Sequence, residues 1–260
     1  MRGDIEAPYE AGSGAGPPVS RRRADVMLVE RGFFRSRARA QEAIAAGLVS
    51  ADGAPVRKPS EMIPDGAAIL AQEPHPYVSR GGVKLAAALD AFGIDPKGLT
   101  CLDLGASTGG FTQVLLGRGA ARVYAVDVGR GQLDPQIYGD RRVVSLESTD
   151  ARALDRNLVP DAIDLLVADV SFISLRLVLP PAAALLAPRA SLAVLVKPQF
   201  EAGPAHVKKG IVRDEAVRRT VCREMAAFIA ALDFEVLDVV PSPIEGGDGN
   251  REFLLGAHRG

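Results

Sequence analysis

From residue 100 to residue 255 the chain alternates short apolar, β-branched runs with longer amphipathic segments, and this alternation restricts the fold more than any other feature. Strands are expected at 100–104, 122–127, 143–146, 163–169, 191–197, 234–240 and 251–255. Helices are expected at 80–92, 110–118, 175–187 and 213–232. Strands separated by helices need crossover connections, so the expected fold is α/β with a doubly wound, mainly parallel sheet. Ligands of such sheets sit outside the carboxyl ends of the strands. Residues at those ends are therefore the first candidates for chemistry.

The first strand runs into a glycine-rich turn, Asp103-Leu104-Gly105-Ala106-Ser107-Thr108-Gly109-Gly110-Phe111. Glycines there let backbone N–H groups approach a ligand at the positive end of a helix. A dinucleotide site would place glycine at the middle position, where the pyrophosphate comes closest. The residue there is Ser107, which suits a nucleotide-like ligand without a pyrophosphate, such as S-adenosylmethionine. Asp127, followed by Val128, ends the second strand, where an acid takes ribose hydroxyls. Asp150 and Ala151, after the third strand, are placed to meet an adenine edge. As alternatives that involve no ligand, Asp127 is a strand-end cap and Asp150 a turn or helix cap.

Asp169 ends the fourth strand and Lys197 the fifth, so both lie at that edge. If the last strand runs antiparallel, its beginning lies there too, carrying Glu252. The helix leading into the first strand starts on the same side and carries Lys84. The apolar runs around Asp169 and Lys197 imply partial burial, and buried charges need partners. A cluster of Lys84, Asp169, Lys197 and Glu252 beside the cofactor is the expectation.

The first quarter differs in character. Residues 1–20 are rich in Gly, Ala, Pro and Ser without apolar period, so a disordered tail is expected. A unit at 21–71 follows: two short helices, with Ser36 capping the second, then short strands around an Asp52-Gly53 turn. Residues 72–79, with Pro74 and Pro76, form a linker, and 80–260 form the second domain. The net charge is −1, against a purely electrostatic nucleic-acid binder, yet arginines crowd the first quarter. Arg21, Arg23, Arg37, Arg39, Lys58 and Arg80 are candidate RNA contacts. Two cysteines and three scattered histidines exclude a disulfide framework and argue against zinc. Pro180, Pro181, Pro188 and Arg189 interrupt the most apolar stretch, and the N-terminus lacks a signal peptide's apolar centre. A cytoplasmic protein without membrane contact is expected; the oligomeric state is open.

Residues 23–70, above all Ser36-Arg37-Ala38-Arg39-Ala40-Gln41 with Ile44, Gly47, Val49 and Asp52-Gly53, resemble the S4 RNA-binding domain. The four charges resemble the Lys-Asp-Lys-Glu tetrad of RrmJ-type ribose 2′-O-methyltransferases. Ser79-Arg80-Gly81-Gly82-Val83-Lys84, the glycine turn, Asp169-Val170-Ser171-Phe172-Ile173-Ser174, Lys197-Pro198-Gln199-Phe200-Glu201 and Gly249-Asn250-Arg251-Glu252-Phe253 together look like the TlyA family. The resemblance implies a class I methyltransferase sheet of seven strands, the last antiparallel, behind an S4-like domain. It also implies S-adenosylmethionine as donor, cytidine 2′-hydroxyls of ribosomal RNA within ribosomal subunits as acceptors, and Lys197 as base or hydroxyl-orienting group. A non-catalytic RNA-binding assembly factor would be expected to have lost the turn or the charges, and both are present. Membrane lysis, suggested by the hemolysin label common in that family, finds no amphipathic stretch or export signal here.

Overall fold

The computed structural model describes residues 20–246 and 249–260. The tail expected to be disordered lies, apart from Ser20, outside the described residues. The chain divides into two compact units, Met1–Pro76 and Tyr77–Gly260.

In the first unit, helices α1 (Ala24–Glu30) and α2 (Arg37–Ala45) carry the core side chains Met27, Leu28, Ala40 and Ile44. Ser36 Oγ accepts the Arg39 N–H and fixes the start of α2, as its position before the helix predicts. Strand β1 (Arg21–Arg23) precedes α1; β2 (Val49–Ala51), β3 (Ala54–Pro55), β4 (Met62–Pro64) and β5 (Ile69–Ala71) follow α2. The β2–β3 turn holds Asp52 at φ 50° and Gly53 at φ 78°, the left-handed pair that a two-residue hairpin demands. β1 was not expected, because three arginines show no strand pattern. It forms by antiparallel pairing with β4, Arg22 opposite Ile63.

In the second unit, α3 (Gly81–Phe92) leads into a seven-stranded sheet. Its strands are β6 (Thr100–Leu104), β7 (Arg122–Val126), β8 (Val143–Leu146), β9 (Ile163–Ala168), β10 (Leu186–Val196), β11 (Glu235–Pro241) and β12 (Phe253–Arg259). The spatial order is β11-β12-β10-β9-β6-β7-β8. β8, β7, β6, β9 and β10 are parallel, and β12 runs antiparallel between β10 and β11. Helices α4 (Gly110–Gly117), α5 (Pro135–Tyr138), α6 (Leu175–Ala183), α7 (Pro198–Glu201) and α8 (Glu215–Ala230) connect them. Two apolar layers sandwich the sheet. One gathers Leu102, Leu166, Val194 and Met225, the other Leu85, Leu115, Leu165 and Leu254. Cys101 lies in this core, and burial pushes its thiol up to about 12, in keeping with an inert side chain.

Several boundaries differ from the sequence reading, and two bear on the site's surroundings. α6 ends at Ala183 rather than 187, because Pro180 and Pro181 remove backbone donors within it and the chain then turns into a longer β10. β12 begins at Phe253, so Asn250, Arg251 and Glu252 precede the ladder.

Candidate active site

Strand register brings the site together. Leu104 pairs with Ala168, so Gly105 and Asp169 leave the sheet side by side. Val196 pairs with Phe253, so Lys197 and Glu252 emerge together on the next two strands, β10 and β12. Lys84 follows from helix geometry. Phe92, at the end of α3, packs so closely on β12 that a Cβ on Gly256 would lie 2.3 Å from its ring. Lys84 lies two turns back along α3 and Glu252 four residues back along β12. At rises of about 1.5 and 3.3 Å per residue, both distances are about 12–13 Å.

The four charges form two ion pairs. Lys84 Nζ contacts Glu252 Oε2 at 2.5 Å, and Lys197 Nζ contacts Asp169 Oδ1 at 2.6 Å. Lys197 aims its aligned hydrogen bond at Ser171 Oγ, 2.8 Å away, leaving Asp169 as the charge partner. Lys84, Lys197 and Glu252 are all more than nine-tenths buried. Lys84, Lys197 and Glu252 line a cavity of about 330 Å³ with Ser171, Phe172, Gln199 and Asn250.

A second cavity of about 370 Å³ adjoins it and fits a nucleoside-bearing cofactor. Gly105, Ser107, Asp127, Val128, Asp150, Ala151 and Asp169 line it, together with Gln132 and Thr149, which the sequence reading left out. Gly105 is at φ 81°, and a Cβ there would stand 2.6 Å from Asp169 O, so only glycine keeps the strand ends this close. Asp127 accepts the N–H groups of Ser107 at 2.8 Å and Gly129 at 2.7 Å, one on each oxygen. Each oxygen keeps acceptor capacity for a hydroxyl. Asp150 lines the cavity while capping the turn at Ala151–Ala153 and pairing with Arg152, whose hydrogen bonds draw it down to about 2.

Close packing fixes the glycines in the rest of the turn. Ala106, Thr108, Gly109, Gly110 and Phe111 are not among the lining residues. A Cβ on Gly110 would collide with Ser79 Oγ at 2.1 Å, and one on Gly109 would crowd Leu133 and Ile137. Asp103 is fully buried, accepts the Thr112 hydroxyl at 2.6 Å, and is pushed up to about 7 by burial. The sequence reading assigned no role to Ser171, Phe172 or Phe200. Phe172 is 91% exposed at φ 63°, and its ring centroid lies 5.2 Å from that of Phe200. The pattern Asp169-Val170-Ser171-Phe172 carried the signal: a hydroxyl and an aromatic following a strand-end carboxylate.

The candidate RNA contacts separate into two sets. Arg21, Lys58 and Arg80 are exposed. Arg23 and Arg37 also reach solvent but converge on the enclosed Asp25, at 3.0 and 2.7 Å. Arg39, expected on the RNA face, turns inward: it pairs with Glu73 and Glu42 and donates to the His75 carbonyl. A side chain committed to those groups fixes the local fold and offers little to a phosphate.

Comparison with known proteins follows the same division. Residues 77–259 match the FtsJ-like methyltransferase family, and residues 22–69 match the S4 domain. The 16S/23S rRNA (cytidine-2′-O)-methyltransferase TlyA of Mycobacterium tuberculosis is 45% identical over 90% of this chain and 89% of its own length. Hemolysin A of Brachyspira hyodysenteriae is 39% identical over 89% of this chain and 98% of its own. The solved structure of a hemolysin-named protein from Streptococcus thermophilus superposes with a TM-score of 0.74 at 40% identity, covering 93% of this chain and 89% of that one.

Proposed function

We propose that this chain, which belongs to the FtsJ-like methyltransferase family, methylates a ribose 2′-hydroxyl of ribosomal RNA with S-adenosylmethionine as donor. The acceptor that fits best is a cytidine of 16S or 23S rRNA presented by a ribosomal subunit, the reaction carried in the name of the M. tuberculosis relative. A ribosomal substrate places the work in the cytoplasm.

One observation carries the reading: the two cavities meet at the tetrad. Ser171 and Phe172 line both cavities, Asp169 lines the cofactor cavity, and Lys197 lines its neighbour. Asp127 and the Gly105–Ser107 backbone would hold the nucleoside of S-adenosylmethionine, with Asp150 at the adenine edge. The bound cofactor supplies an activated methyl group. The protein's tasks are to hold the acceptor oxygen in line and to remove its proton. Lys197, aimed by Asp169 and Ser171, contacts the 2′-hydroxyl; in its neutral form it takes the proton, and Asp169 holds the ammonium that results. The Lys84–Glu252 pair lines the same cavity and keeps the enclosed charges balanced. Phe172 offers an exposed ring to a base turned out of the RNA stack.

The test is transfer of labelled methyl from S-adenosylmethionine to unmodified ribosomal subunits, followed by nucleoside analysis. 2′-O-methylcytidine is expected. Methyl on a base would keep the cofactor and overturn the tetrad mechanism, and no transfer despite cofactor binding would overturn the rRNA acceptor.

A further inference from the structure

A third cleft, of about 420 Å³, opens in the same unit and is lined by Ile211, Val212, Arg213, Arg218, Gly249 and Arg251. Among the described residues its lining holds three arginines and no acid. Arg218 is the most telling of them. It is nine-tenths buried, its guanidinium donates to Val212 O at 3.1 Å and to Glu215, and its Nε has no partner among the described residues. A buried guanidinium with a donor left over retains capacity for a further acceptor. Glu215, from outside the lining, is also within 3.9 Å of Arg219 and 4.0 Å of Arg251, so one half-exposed carboxylate serves three guanidinium groups. Asp214 is committed to capping α8 through the Ala216 N–H.

The cleft shares its walls with the tetrad cavity. Gly210, Asn250 and Glu252 face that cavity, whereas Ile211, Val212, Gly249 and Arg251 face the cleft. Asn250 Nδ2 donates to Gly210 O at 3.0 Å and joins the two segments. The cleft and the tetrad cavity are therefore lined by adjacent residues of the same two segments.

We propose that this cleft binds a backbone phosphate of the RNA strand close to the acceptor nucleotide, with Arg218 as its buried floor, Arg213 and Arg251 as its rim, and Glu215 as a competing carboxylate. The proposal rests on the ribosomal RNA reading above. Its ligand is a phosphodiester, and the arrangement registers the acceptor strand relative to Lys197 without reading sequence.

The test uses the full chain carrying Arg213→Ala with Arg251→Ala, since Arg218 also supports the Val212 backbone. Binding of unmodified ribosomal RNA is titrated against salt, alongside methyl-transfer kinetics and cofactor binding. RNA affinity should fall about tenfold, with the slope of log affinity against log salt reduced by about 0.7–0.9, as for one lost phosphate contact. KM for RNA should rise while kcat and cofactor affinity stay at wild-type values. Glu215→Gln should act oppositely, tightening RNA a few-fold, a sign that a merely structural role would not produce. Unchanged affinity and slope in the double variant would overturn the proposal. So would inorganic phosphate at millimolar concentration binding through these arginines while the RNA slope stayed fixed, because the cleft would then hold a free anion. Absence of rRNA binding by the wild type would remove the premise, and it differs from wild-type binding that the variants leave unaltered.

Discussion

Asp25 in the S4 unit and Asp103 in the methyltransferase unit are both fully enclosed carboxylates, and their surroundings drive them in opposite directions. Hydrogen bonds from Arg23, with Arg37 and Gln41 adding theirs, hold Asp25 well below the ordinary carboxylate range despite its burial. Asp103 receives the Thr112 hydroxyl, and burial lifts it to about 7. Asp25 lies just beneath arginines that reach solvent, whereas Asp103 lies deep against the sheet, so depth and the supply of donors together set the state of each charge. The tetrad is a third arrangement, in which each carboxylate has one lysine and both pairs stand at a cavity wall. Asp25 is saturated and closed off, which marks it as structural, whereas the tetrad keeps open space beside its charges.

The sharpest way to break this contrast is to remove one charge from each region. Lys197→Ala should lower kcat for methyl transfer by about a thousandfold or more while S-adenosylmethionine and RNA still bind. Substantial residual turnover would return Lys197 to a structural role. Asp103→Asn tests the poorly served carboxylate. Below about pH 4 that group is protonated in both folded and unfolded chains. From about pH 4 to 7 only the unfolded chain releases the proton, so folding loses up to about 4 kcal/mol across that window and then levels off. Measured by denaturant unfolding, the gap between wild type and Asp103→Asn should move in the variant's favour across those pH values. A constant gap would show that Asp103 is not the titrating group. Asp25→Ala should cost about 1–3 kcal/mol of S4 stability by removing the acceptor on which Arg23, Arg37 and Gln41 converge, with kcat at saturating RNA unchanged.

What the sequence showed and what it hid follow the same physics. The sheet was legible because strand period and crossover length are local properties, and from them the edge holding Asp169, Lys197 and Glu252 follows by topology. Pairing within the tetrad was not legible. That Lys84 meets Glu252 while Lys197 meets Asp169 depends on the Val196–Phe253 register and on the packing of Phe92 over Gly256. The glycine turn was legible as a turn, but the sequence does not distinguish Gly105, which faces the cavity, from Gly110, which yields to Ser79. β1 escaped notice because its stability comes from its partner β4 and not from its own residues. Cationic side chains are equally opaque: they suit both a phosphate and a carboxylate, and only the fold separates Lys58 from Arg39.

That last distinction gives the smallest effect and the finest test of the contrast. Arg39→Ala removes its contacts with Glu73, Glu42 and the His75 carbonyl, so it should lower S4 stability by about 1–2 kcal/mol and leave the salt slope of RNA binding unchanged. Lys58→Ala, at an exposed position, should do the reverse: unfolding within about 0.5 kcal/mol of wild type, and a salt slope smaller by about 0.7–0.9. Paired thermal unfolding and RNA titrations on the two variants separate these outcomes. If Arg39→Ala changed the slope and Lys58→Ala did not, the RNA face would lie on the α2 side after all, and the division between saturated and open charges would fail in the S4 unit.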